Sequence, residues 1–139
     1  EDTLALMCGR SHPLAGRETL SLQDLAGEDF LLRERDSAVR ASFDSLMELA
    51  GLRITPLWQS ASTQALVRGV ERGLGISLFP CHLVRVELEQ GRLLRLPLPP
   101  VRRQFSLIYH KNKFLTPAAQ MFMAVCRECA KTLAAEGGE

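Results

Sequence analysis

Short apolar runs alternate with amphipathic segments along almost the whole chain, and that alternation limits the architecture more than any other feature. The runs are TLALMCG (Thr3 to Gly9), DFLLR (Asp29 to Arg33), RITPLWQ (Arg53 to Gln59), GISLF (Gly75 to Phe79) and QFSLIYHK (Gln104 to Lys111), each of strand length. Between them, apolar residues recur at helical spacing. Val39, Phe43, Leu46, Met47 and Ala50 fall at i, i+4, i+7, i+8 and i+11 behind Ser37, a helix cap, and Gly51 stops the segment. Ser62 caps a second helix that carries Leu66, Val67 and Val70 and closes at Gly73. Thr116 and Pro117 open a third, with Ala118, Met121, Phe122, Val125, Cys129 and Leu133 on one face. Strands alternating with helices predict crossover connections, hence an α/β fold with a mostly parallel sheet flanked by helices.

With 139 residues, 46% of them hydrophobic, the chain is long enough for one domain with a core of its own and short for two. Seventeen basic and sixteen acidic residues leave a net charge of +1, with no basic run longer than Arg102-Arg103. A dedicated nucleic-acid surface needs a clustered basic face, which this balance does not supply. No apolar stretch approaches the roughly 20 residues of a membrane span, and no signal segment opens the chain. The expectation is a soluble cytoplasmic protein with no membrane contact. The chain begins at Glu1, without Met, on the run-in to a strand, which points to a piece of a longer polypeptide.

Motifs for chemistry are scarce. Arg68 to Val84 contains Gly73-Leu74-Gly75, but a dinucleotide fingerprint needs strand, glycines and then helix. Here the glycines follow a helix, precede a strand, and have Leu78 where the third glycine would stand. They read as a helix stop and a tight turn. Cys8, Cys81, Cys126 and Cys129 read as reduced apolar thiols, since Cys126-x-x-Cys129 lacks a second pair and lies in a helical pattern. His12, His82 and His110 sit in different elements, and no nucleophile or metal-protease motif is present. No enzyme activity, metal or cofactor is called for.

The positions with binding potential are two helix starts. In a parallel sheet, helices begin beyond the carboxyl ends of the strands, so LLRERDS and WQSAS should meet on one rim. Free N–H groups and the positive dipole ends there suit a carboxylate or similar anion. Arg33 and Arg35 add charge, and Ser37, Ser60, Ser62 and Thr63 add hydroxyls.

These residues, together with SHPLAGRETLSLQDLAGEDFLL, RERDSAVRASFDSLMELAG, SASTQALVRGVERGLGISLFP and GRLLRLPLP followed by LIYHKNKFLTPAAQMF, make the chain resemble the effector-binding domain of LysR-type transcriptional regulators. The resemblance spans about 130 residues. It implies a fold like the type 2 periplasmic binding proteins: two α/β subdomains joined by two hinge strands, with a small-molecule effector in the crevice between them. Residues 1–10 would be a hinge strand entering the second subdomain, 11–99 that subdomain, and 100–139 the returning hinge strand and a C-terminal helix of the first. Effector-facing positions would be Arg33, Arg35, Asp36, Ser37, Gln59, Ser60, Ala61, Ser62, Thr63, Phe79 and Pro80. Where the family commonly has glycines beside the crevice serine, this chain has Asp36 and Ala38.

The resemblance further implies that DNA is contacted only by an N-terminal domain outside these residues, and that the full protein is a dimer or tetramer. With part of the first subdomain lacking, the face from Ala118 to Leu133 would be covered by a second copy, in a dimer or by helix exchange. The rival reading is one lobe of a solute-binding protein for transport, disfavoured because export would expose four cysteines to oxidation.

Overall fold

The computed structural model describes residues 1–112 and 114–136, with side chains described through residue 132. Leu133, the last residue of the expected apolar face, therefore lies outside the described side chains. The chain forms two units: Asp2–Arg102, and Arg103–Glu139 with Glu1.

In the larger unit, β1 (Asp2–Gly9) is the central strand of its sheet, flanked by β4 (Ser77–Pro80) and β5 (Leu93–Arg95). Both pairings are antiparallel, with Leu6 opposite Leu78 and Cys8 opposite Leu94. β6 (Val101–Arg103) also pairs with β1. A second, parallel pair joins β2 (Leu31–Arg33) to β3 (Trp58–Ser60), with Arg33 opposite Ser60. A parallel bridge between Phe30 and Ile76 brings the start of β2 beside the run-in to β4. Gly75 makes that approach possible: its φ is +152°, and a β-carbon there would collide with the Asp29 carbonyl oxygen.

The architecture is α/β, but the mostly parallel sheet is realised only where β2, β3 and Ile76 meet. β1 runs against β4 and β5, and alternation of elements does not encode strand direction. Two strands also end differently from the sequence pattern. RITPLWQ pairs only from Trp58, past Pro56, which cannot donate to a ladder. QFSLIYHK is not a strand: β6 ends at Arg103, and Gln104 to His110 are exposed, with no ladder partner among the described residues.

α1 (Ala38–Leu49) and α2 (Thr63–Glu71) cover opposite faces of the β2–β3 pair. Val39, Phe43 and Met47 of α1 pack with Leu32, the Phe30 and Phe43 rings lying 5.1 Å apart. Leu66, Val67 and Val70 of α2 pack with Leu31 and Phe79. α2 sits close because Gly69 faces the sheet: a β-carbon there would lie 2.5 Å from Leu31 Cδ2. Along its exposed side, Glu71 accepts from Arg68 (2.8 Å) and Arg92 (2.6 Å), tying α2 to the residue before β5. α3 (Arg85–Glu89) is one short turn after a 3₁₀ segment, Cys81–Val84.

The turn at Ser11 to Gly16 is organised by His12. Its buried imidazole accepts from the Leu14 N–H (3.2 Å) through Nδ1 and meets Glu28 at 3.5 Å through Nε2. In the smaller unit, α4 (Pro117–Glu136) opens with Thr116 Oγ1 accepting from the Ala119 N–H (3.3 Å). The Arg103 guanidinium lies 4.9 Å above the Phe105 ring. Met121, Phe122 and Val125 are all more than half exposed, at 70%, 61% and 54%.

Candidate functional site

β2 and β3 run parallel and in register, so their carboxyl ends, Arg33 and Ser60, lie side by side, and each strand feeds a helix on that rim. Both helices start on the serines the sequence singled out. Ser37 Oγ accepts from the Val39 N–H and Ser62 Oγ from the Ala65 N–H, each at 3.2 Å. The Ser62 N–H in turn donates to Ser60 Oγ (3.1 Å), which shapes the loop before α2. Each cap stabilises its helix by about 1 kcal/mol and fixes the direction in which the remaining free N–H groups point.

Arg33 joins the two loops. Its Nη1 donates to Thr63 Oγ1 (3.0 Å) while Nε and Nη2 grip Glu34 at 2.8 and 2.9 Å. The bidentate bond raises the Arg33 pKa and holds the Glu34 carboxyl below the usual carboxylate range. Arg33 is thus a braced cation, already compensated. Arg35 and Asp36 are exposed at the tip of the same turn, and Gln59, Ala61 and Ser62 are exposed along the facing loop.

A residue the sequence reading passed over completes the rim. Arg40, on the first turn of α1, is buried at 6% exposure. Its Nε donates to Asp44 (2.8 Å), and its Nη1 donates both to the Arg33 carbonyl (3.2 Å) and to Gln59 Oε1 (3.0 Å). One guanidinium therefore binds α1 to the ends of both strands. The signal was present: Arg40 is a charged residue in step with Phe43 and Met47, on the face that packs inward.

Phe79 and Pro80 do not join this cluster. Both are buried in β4, paired with Ala5 and Leu4, and Phe79 is a core residue with 1% exposure, packed against α2. β4 is buried along its whole length, so within this chain these two residues are buried positions set apart from the other expected contacts. A shallow apolar groove on the outer face of α1, lined by Ala41, Leu46, Leu49 and Val101, lies apart from the rim.

The rim holds three cations (Arg33, Arg35, Arg40) and three anions (Glu34, Asp36, Asp44). Beside these charges, the two helix starts bring oriented N–H donors and positive dipole ends to the rim. Among the other titratable groups described, Arg68, Glu71, Arg92 and Glu87 form an ion-pair chain beside α2, and the histidines are scattered. His12 serves its turn, His82 Nδ1 meets Asp2 (2.9 Å), and His110 Nδ1 accepts from the Asn112 N–H. No three side chains of metal-ligating type converge among the described residues.

The model for the LysR substrate binding domain matches residues 1–131. A RuBisCO operon transcriptional regulator of Allochromatium vinosum is 36% identical over 124 residues, covering 88% of this chain and 41% of that protein. An activator of Synechocystis, CmpR, is 29% identical over 125 residues, 88% of this chain and 41% of its own length. The chain thus spans about two fifths of the length of the relatives it matches. Among solved structures, the Synechocystis CcmR regulatory domain in complex with 2-PG superposes with a TM-score of 0.75 at 22% identity, covering 89% of this chain and 61% of that one. The effector binding domain of QuiR in complex with shikimate gives 0.65 at 22% identity, over 87% and 57%. The chain belongs to the LysR substrate-binding domain family.

Proposed function

We propose that this chain is the effector-sensing part of a LysR-type transcription regulator and that a small anionic molecule binds on the rim formed by Arg33, Arg35, Asp36, Ser37 and Gln59 to Thr63. One observation carries the reading: two serine-capped helices open side by side at the in-register ends of β2 and β3, and Arg33 bridges them. Two related domains, those of CcmR and QuiR, were solved with 2-PG and shikimate, both small molecules, which supports a ligand of similar size here.

In this reading residues 11–99 are the second subdomain, β1 and the return after Pro100 are the connections to the first, and the effector lies between the two. Binding would bias the orientation of the subdomains and, through contacts between copies in a dimer or tetramer, the engagement of DNA by a domain outside this chain. The protein acts in the cytoplasm and performs no chemistry on its ligand. No described helix is long and apolar enough to cross a membrane.

The test is a thermal-shift titration with small phosphates and carboxylates, 2-PG and shikimate among them. A ligand at a hundredfold excess over its Kd stabilises by about 2.7 kcal/mol, a shift of about 10 °C for a chain of this size. Ser37→Ala and Ser62→Ala should reduce that shift at equal ligand concentration. A ligand whose shift is unchanged in both variants would place the site elsewhere.

A further inference from the structure

We infer that Arg40 is a positioning residue that sets which chemical class of ligand the rim accepts, by dictating how the Gln59 amide is turned. A side-chain amide presents either an acceptor or two donors, and its orientation follows from its partner. Arg40 removes the choice, because a guanidinium only donates. Its Nη1 lies 3.0 Å from the Gln59 amide oxygen, so the oxygen is held inward and the NH2 group faces away from the guanidinium. Gln59 is exposed, and its Nε2 has no partner among the described residues.

The lock is rigid. Arg40 is buried, and Asp44 and the Arg33 carbonyl hold the same guanidinium at 2.8 and 3.2 Å, so it cannot rotate to present a different face to Gln59. Arg33 and Arg40 are already compensated by Glu34 and Asp44, so the neutral donors beside them have a share in discrimination. The free N–H groups of α1 and α2 are donors, and the Gln59 NH2 adds two more. A rim of donors favours phosphate or carboxylate oxygens over amines and other donor-only ligands, which would leave the N–H groups unpaired at the cost of their desolvation. This assignment rests on the rim being the effector site.

The experiment uses the ¹⁵N-labelled chain, inorganic phosphate as the probe, and two readouts. The first is the pair of Gln59 side-chain amide proton resonances. In the parent chain they should be well separated, with slow exchange. Arg40→Met should collapse them toward free-glutamine values, and Arg40→Lys, which still donates, should retain the separation. A melting curve for each variant shows that it is folded, and the Lys variant keeps the test alive if Met is not tolerated. The second readout is phosphate titration. Gln59 Nε2 should shift together with the backbone amides of Ser37 to Val39 and Ser62 to Ala65, and Gln59→Met should weaken phosphate by about tenfold, as expected for losing a hydrogen bond to a charged group.

A Gln59 signature unchanged in Arg40→Met overturns the inference. So does phosphate that shifts the helix-start amides and leaves Gln59 untouched, and in that case the effector reading survives. Phosphate that shifts none of these amides overturns both.

Discussion

At the scale of single residues, the serines were legible and the arginine was not. A cap is local chemistry: Ser37 and Ser62 need only a following helix to accept its N–H, and that helix is written in the spacing of Phe43 and Met47 or Leu66 and Val70. Arg40 takes its meaning from Gln59, nineteen positions away, and Arg33, a relation that a single sequence does not express. Phe79 is buried against α2, and an aromatic residue near a predicted rim and one in a two-sided core look alike until the strand partners are known. The cysteines divide by burial. Cys8 is fully buried, and burial first, then the Glu28 carboxylate, push its thiol up to about 11, whereas Cys129 is exposed. Iodoacetamide at pH 8 should therefore alkylate Cys129 and leave Cys8 unmodified in the folded chain, with urea abolishing the difference. Peptide mass mapping reads both sites. Equal labelling of the two without denaturant would contradict the packing around β1.

At the scale of elements, α2 is held to the remainder of its unit by a close face and a charged edge. The face depends on Gly69, which the sequence shows only as one glycine among several in RGVERGLG. The edge is Glu71, with its side chain 10% exposed between Arg68 and Arg92. Burial alone would raise this carboxyl, but hydrogen bonds from Arg92 and Arg68 outweigh it and hold the pKa below the usual glutamate range. A depressed carboxylate contributes stability above its unfolded pKa of about 4.3 and loses it as pH falls through the lower folded value. Because both arginines are substantially exposed, the contribution is on the order of 1 kcal/mol. Glu71→Gln should lower the urea midpoint at pH 7, and the gap from the parent chain should close as pH falls below about 4 and through the depressed folded value. A gap independent of pH would mean that the glutamate acts through shape alone. Element types were largely legible and strand directions were not. Helical spacing and glycine stops mark where α1 and α2 begin and end, but antiparallel pairing along β1 is fixed by partners 70 or more residues distant, as with Met7 and Ser77. QFSLIYHK has the composition of a strand and no ladder to join, which sequence pattern cannot reveal.

At the scale of the whole molecule, α4 presents Met121, Phe122 and Val125 to solvent. Burying such a face is worth about 25 cal/mol per Å², so the chain should self-associate through it. Sedimentation velocity over a hundredfold range of concentration should show a rising weighted-average coefficient, and Phe122→Glu should suppress the rise. A coefficient that stays at the monomer value throughout would defeat the expectation. The sheet has a mechanical consequence of its own. β1 carries ladders on both sides, to β4 and to β5, and antiparallel hydrogen bonds stand perpendicular to the strand. A tug along β1 therefore loads all of those bonds together, in shear, instead of peeling them one at a time. The strand behaves as a tension rod through the centre of its sheet: it passes a pull along its length to both neighbours before any single bond gives way.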